Sequence, residues 1–298
     1  MSKEHDYLFH MLNSVKKSFD PENPPEYAAA RESEKAMGNK LPEGVQTRNV
    51  DLGGIPGELI WLDNEKTDKI IFYVHGGGFT TGSSCSRRVF TGAMAKEFGI
   101  NVISVEYRLA PEHPYPAAID DCMTAYKHVL NEYTADKIAF AGESAGGNLV
   151  LGLAVRANNE NLPLPAAILA SSPLIQYDRR FESYDKNLDT DCILSNIHEE
   201  IIFNYLKDAD IELLRNPVIS PYYADLEGFP PVLLSVSESE ILYDDSVALY
   251  NKLKQEGVDT QLSERSGMMH AYILFQSLPE AQEELQIWKR FLTETCHF

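Results

Sequence analysis

Residues 138–149 read Ile138-Ala139-Phe140-Ala141-Gly142-Glu143-Ser144-Ala145-Gly146-Gly147-Asn148-Leu149. A short β-rich apolar run breaks on a serine bracketed by glycines, and a helical pattern follows from Asn148 to Asn158. A strand that turns abruptly into a helix needs glycine on either side of the turning residue, because a Cβ there would collide with neighbouring backbone. Ser144 is thereby pushed out above the edge of a sheet. A G-x-S-x-G match alone arises by chance in on the order of one chain in ten of this length, and a serine in a glycine turn can be inert. Placement between strand and helix is what gives the match weight.

Outward from this point, apolar β-rich runs alternate with helical patterns along most of the chain. Strands are expected near Glu58 to Leu62, Ile70 to Val74, Val102 to Glu106, Ile138 to Ala141, Ala167 to Ala170, Val232 to Val236 and Thr260 to Ser263. Ala118, Cys122, Ala125 and Val129 keep helical spacing, as do Ala281, Leu285, Trp288 and Leu292. Such alternation predicts an α/β fold, a mostly parallel central sheet flanked by helices on both faces. Two stretches break the pattern. Residues 1 to about 45 carry helix-prone segments interrupted by prolines, ahead of any expected strand. Residues from about 175 to 225 are polar and aromatic, hold one amphipathic helix around Ile197 to Leu206, and are too long for an ordinary connection. Long insertions beside the C-terminal edge of a sheet commonly form lids or binding loops.

Composition narrows the function. The chain has 298 residues and a formal net charge of −19. That charge repels nucleic-acid phosphates and anionic lipid headgroups, so neither nucleic acid nor membrane is an expected partner. Hydrophobic content of 44% with charged content of 24% is the usage of a globular chain. The N-terminus shows no apolar signal segment and no window has a spanning run of apolar residues. Cys85, Cys122, Cys192 and Cys296 lie far apart, without the close spacings of zinc or redox sites. The expectation is a cytoplasmic protein with ordinary thiols and no metal.

His75-Gly76-Gly77-Gly78 follows the strand Ile70 to Val74. Three consecutive glycines leave bare N–H groups able to turn toward a ligand, as an acyl-transfer enzyme requires where a tetrahedral oxyanion develops. Gly76, Gly77 and the N–H of Ala145 are the expected oxyanion hole. Phosphate binding is the alternative, but neither Gly-Lys-Ser/Thr nor a dinucleotide fingerprint follows.

Together, His75 to Gly78, Tyr107-Arg108-Leu109-Ala110-Pro111-Glu112-His113-Pro114, and Gly142 to Leu149 resemble the hormone-sensitive lipase group of α/β-hydrolase esterases. The similarity continues through Asn216-Pro217-Val218-Ile219-Ser220-Pro221 to Asp245, and so covers most of the chain. The resemblance implies a carboxylic ester hydrolase with a serine nucleophile, an acyl-enzyme intermediate and no cofactor. It also implies one α/β-hydrolase domain over residues 1–298, with a cap made from about 1–45 and about 175–225. The chain departs from the group at Glu143, where Asp is more usual. Arg108, Glu112 and His113 are expected to form a buried corner supporting the glycine loop.

In α/β-hydrolases the histidine base comes last in chain order, after the acid. His270, in the loop between the last strand and the C-terminal helix, fits; five histidines precede the acid region, His75 belongs to the glycine loop and His297 is terminal. Glu238, Glu240, Asp244 and Asp245 all follow the strand Val232 to Val236 at a suitable distance. The group's acid-x-Leu-x-acid run matches Glu240-Ile241-Leu242-Tyr243-Asp244, which points to Glu240, with Glu238 as the fallback; Asp244 is expected to cap the next helix, ending at Gly257. The expected chemistry is hydrolysis of short-chain esters, acetyl to hexanoyl, by Ser144, His270 and Glu240. An amidase or formamidase using the same residues is the alternative. A receptor-like binding role, known among relatives of this group that lack the histidine, is disfavoured by His270. The resemblance also allows a homodimer.

Overall fold

Strands β1 (Val45–Asp51), β2 (Pro56–Leu62), β3 (Ile70–Val74), β4 (Asn101–Val105), β5 (Ile138–Glu143), β6 (Ala167–Ser171), β7 (Val232–Ser237) and β8 (Thr260–Arg265) form one sheet. The computed structural model describes every residue except 39–40, 64–66, 179–180, 208 and 297, so the terminal His297 lies outside the described residues. The strand order is β1-β2-β4-β3-β5-β6-β7-β8. All pairings from β4 through β3 to β8 are parallel, while β2 runs antiparallel to both β1 and β4. β1 was not anticipated. Its sequence, Val45-Gln46-Thr47-Arg48-Asn49-Val50-Asp51, holds two apolar residues, and only Val45 is buried. Pairing with β2 creates this edge strand where its own pattern carries little signal.

Ten helices are described: α1 (Lys3–Val15), α2 (Tyr27–Met37), α3 (Arg88–Phe98), α4 (Ala117–Val129), α5 (Ala145–Asn159), α6 (Ser183–Lys186), α7 (Ile197–Ile201), α8 (Ile211–Leu214), α9 (Tyr243–Gln255) and α10 (Pro279–Cys296). A π-helical turn over Ile202–Leu206 extends α7. Side chains alternate across a strand, and β3 divides accordingly. Ile70, Phe72 and Val74 join the core built with α4, α5 and α9, whereas Ile71 and Tyr73 join Phe90 and Met94 of α3 and Leu285 and Trp288 of α10. Every β3 residue is buried, and each large apolar side chain so placed contributes about 1.5–3 kcal/mol. α9 ends as expected, with Gly257 in the left-handed region at φ 78°. Its start differs: Asp244 stands inside the first turn, and its carboxylate accepts the Ser183 N–H at 2.9 Å.

The two irregular stretches pack where the parallel strands end. Leu8, Phe9 and Leu12 of α1 rest on a cluster containing Met268, Met269 and Tyr272. The insertion grips the loop after β7: Asn187 Nδ2 donates to the carbonyls of Glu238 and Glu240 at 2.9 and 2.8 Å, and the Ile241 N–H donates to Asp191 at 3.0 Å.

Candidate active site

Ser144 occupies the junction of β5 and α5 with φ 54° and ψ −121°. A non-glycine residue in such a conformation costs of order 1–3 kcal/mol and persists only where its surroundings enforce it. Here the Ser144 N–H donates to the Ser171 carbonyl of β6 at 2.8 Å. The flanking glycines are required sterically. A Cβ on Gly146 would lie 2.1 Å from the Val74 carbonyl oxygen, and one on Gly142 would lie 2.5 Å from the Gly146 carbonyl oxygen.

His270 follows β8 in a loop whose next residue, Ala271, has φ 50°. Its Nδ1 lies 3.2 Å from Glu240 Oε1. Glu240 is fully buried, and its Oε2 accepts from the Ser172 hydroxyl at 2.8 Å and the Ser237 N–H at 3.4 Å. An ionised carboxylate only accepts, so Nδ1 carries the imidazole proton and Nε2 keeps its lone pair. That Nε2 is buried and has no hydrogen-bond partner among the described residues. Burial disfavours the charged imidazole, but the charge and hydrogen bond of Glu240 outweigh it, and the His270 pKa is raised above its ordinary value. Glu238 is exposed and its N–H donates to Arg265. Of the two carboxylates weighed for the acid, Glu240 is the one in contact with His270.

The glycine loop departs from expectation at Gly76. Its N–H donates to Glu143 Oε1 at 2.7 Å and is spent there, whereas Gly77 and Gly78 line the cavity beside Ser144. No acceptor among the described residues takes the N–H of Gly77 or Gly78. Ala145 opens α5, so its N–H is among the helix's unpaired terminal donors. Glu143, noted in the sequence only as a departure from the group's usual Asp, has a structural role that the sequence did not reveal. Buried at 1% exposure, it also accepts from the Tyr73 hydroxyl at 2.5 Å and Arg87 Nε at 2.8 Å, joining β3, the glycine loop and the start of α3 under the nucleophile. Its one signal in the sequence is a carboxylate ending an otherwise apolar strand.

His75 is fully buried, stacks on Tyr107 at 4.3 Å between centroids, and places Nδ1 2.8 Å from the Gly76 carbonyl. Burial lowers its pKa to about 3, so it is neutral and shapes the loop. The corner expected from Arg108, Glu112 and His113 is not buried: all three are exposed. Arg108 pairs with buried Asp121 at 2.7 Å, and Glu112 pairs with Arg31 of α2 at 2.8 Å. The long charged side chains reach outward to partners, while others in the same stretch hold the loop. The Tyr107 hydroxyl donates to the His75 carbonyl at 2.8 Å, and the Ala110 N–H donates to the Phe79 carbonyl at 2.9 Å. Arg31 fastens this arrangement from above, donating to the carbonyls of Thr80 and Ala110, each at 2.7 Å.

Ser144, His270, Gly77 and Gly78 open onto one cavity of ≈ 750 Å³, a volume in the range of small-molecule sites. Pro25, Tyr27, Ala30 and Glu34 line it from the N-terminal stretch, and Ile193, Leu194, Ile197 and Glu200 line it from the insertion. The Tyr27 hydroxyl donates to Glu200 at 3.0 Å, joining the two stretches. Among the described residues no group of His, Cys, Asp and Glu is placed to hold a metal, and no helix is long and apolar enough to cross a membrane.

A serine on a strand-to-helix elbow, sharing a cavity with a histidine backed by a carboxylate at the C-terminal edge of a parallel sheet, defines an α/β-hydrolase, and residues 71–274 match the family described as alpha/beta hydrolase fold. The chain belongs to that family, and within it to the hormone-sensitive lipase-like type. It is 35% identical over 252 residues to an esterase of Acinetobacter venetianus, covering 84% of this chain and 82% of that protein. A solved esterase of the bacterial hormone-sensitive lipase family superposes with a TM-score of 0.89 at 31% identity, over 99% of both chains. EstE5, whose crystal was soaked with p-nitrophenyl butyrate, gives a TM-score of 0.91 at 29% identity over 100% of both chains.

Proposed function

We propose that this carboxylesterase hydrolyses short-chain acyl esters through a Ser144-His270-Glu240 triad and an acyl-enzyme intermediate. The observation that carries the reading is the His270 imidazole, bonded through Nδ1 to Glu240 and with no partner for Nε2 among the described residues, in the wall of the cavity that also holds Ser144. Nε2 takes the Ser144 proton as Oγ attacks the ester carbonyl. Glu240 holds the tautomer and stabilises the imidazolium that forms. The N–H groups of Gly77, Gly78 and Ala145 receive the developing oxyanion, with Glu143 fixing the loop by occupying Gly76. His270 returns its proton to the departing alcohol, and water then cleaves the acyl-enzyme by the same route in reverse.

Residues 1 to about 45 and about 175–225 act as the cap of a single domain, since both stretches line the cavity. The short-acyl preference draws support from the p-nitrophenyl butyrate used with EstE5. The test is Ser144→Ala assayed on p-nitrophenyl esters from acetyl to hexanoyl and on matched anilides. Loss of about 10⁶ in kcat with an intact fold is expected, because nucleophile and base act as a unit. A folded variant with near-wild-type turnover overturns the assignment, and faster cleavage of the anilides overturns the ester preference.

A further inference from the structure

The three triad groups sit on three separate loops, and hydrogen bonds bring them to one dipeptide at the end of β6, Ser171-Ser172. The Ser171 carbonyl accepts the Ser144 N–H at 2.8 Å. The Ser172 hydroxyl donates to Glu240 Oε2 at 2.8 Å and accepts the N–H of Ala271, the residue after His270, at 3.1 Å. These roles use the hydroxyl's one proton and one of its two lone pairs: the proton goes to a carboxylate, which can only accept, and the lone pair meets an N–H, which can only donate. The Ser172 N–H donates to the Ser235 carbonyl of β7 at 2.7 Å, so the residue is anchored to the neighbouring strand.

Ser172 is fully buried and has φ 48°, in the left-handed region. Glycine adopts that backbone without penalty and serine does not. The two hydroxyl bonds are what a serine supplies at this point and a glycine would not.

We propose that Ser172 is a positioning residue for ester hydrolysis, its hydroxyl clamping the Glu240 carboxylate and the His270 turn to one another and both to β6. The inference rests on the triad reading above. Without the clamp, Glu240 Oε2 keeps only the long 3.4 Å bond from the Ser237 N–H and the Ala271 N–H loses its acceptor, so the carboxylate and the imidazole are held less firmly against Ser144. Small displacements of this kind cost up to about 10²-fold in rate.

The experiment compares Ser172→Gly and Ser172→Ala with wild type and with Ser144→Ala on p-nitrophenyl butyrate, alongside thermal melts. Glycine removes the hydroxyl and relieves the backbone, whereas alanine removes the hydroxyl and keeps the strain, so Ser172→Gly should melt higher than Ser172→Ala. Both should lose about 10- to 100-fold in kcat with KM within about twofold. The acid limb of kcat/KM should also move to lower pH, because His270 loses contact with the carboxylate that raises its basicity. Wild-type kcat and an unmoved pH profile in folded Ser172→Gly overturn the proposal. Activity loss that merely tracks the unfolded fraction in both variants overturns it too. If Ser144→Ala remains active, the triad reading itself fails; if Ser144→Ala is inactive and Ser172→Gly is not, only the positioning role fails.

Discussion

Glu240→Gln tests the electrostatics of the site most directly. The carboxylate faces donors on both sides: Oε1 meets His270 Nδ1 at 3.2 Å, and Oε2 meets the Ser172 hydroxyl at 2.8 Å and the Ser237 N–H at 3.4 Å. An amide has one oxygen and one NH2, so one side must set donor against donor. With NH2 toward His270, the imidazole switches tautomer and Nε2 can no longer take the Ser144 proton. With NH2 toward Ser172 and Ser237, the tautomer survives, but the imidazolium has lost its counter-charge in a site where Glu240 is fully buried. A fall of about 10³ to 10⁴ in kcat is expected, equivalent to about 4–5.5 kcal/mol of transition-state stabilisation. The pH profile adds a second reading. His270 acts as a base only when neutral, and its pKa is raised. Wild-type kcat/KM should therefore fall as pH drops through a value above about 6.5, the ordinary histidine pKa. In Glu240→Gln that limb should move down. Steady-state kinetics on p-nitrophenyl butyrate across the histidine titration range measure both effects. Glu238→Gln, at an exposed position, should change little. An inactive Glu238→Gln beside a largely active Glu240→Gln would refute the reasoning.

Glu143→Ala takes the acceptor from the buried Gly76 N–H and Tyr73 hydroxyl and removes the nearer of the two carboxylates beside the Arg87 guanidinium, leaving Glu34 at 3.9 Å. Breaking a buried ion pair from one side costs about 3–5 kcal/mol, so urea denaturation should show a loss of at least that size, and a change below about 1 kcal/mol would contradict the role given to Glu143. Deleting the first 40 or so residues removes Arg31 from the carbonyls of Thr80 and Ala110, Lys16 from those of Leu188 and Asp191, and α1 from Met268 and Met269. Circular dichroism should still report the sheet, while kcat falls along with a rise in KM and a flatter acyl-length preference; an unchanged kcat would confine this stretch to substrate binding.

What was legible in the sequence is what is encoded locally. Five of the six parallel strands, all but β8, and their helices announce themselves because burial on both faces demands continuous apolar runs, as in Ile70 to Val74 and Ile138 to Ala141. Ser144 could be singled out because the elbow's sterics are written in its immediate neighbours, Gly142 and Gly146. His270 was legible by its place after the last strand, while order alone left Glu238, Glu240, Asp244 and Asp245 open after β7 and only the resemblance pointed to Glu240. β1 was not, because a mostly polar edge strand becomes a strand only by pairing with β2. Tertiary structure alone decided which donors and acceptors meet. Gly76 is spent on a carboxylate 67 residues away, and the Ser172 hydroxyl joins Glu240, 68 residues beyond it, to the turn at Ala271, 99 residues beyond it. Neither partner leaves a mark on the other's local sequence. A hydrogen bond depends on where two groups end up in space, and in this chain the stacking of parallel strands, with their ends at one edge, brings them there.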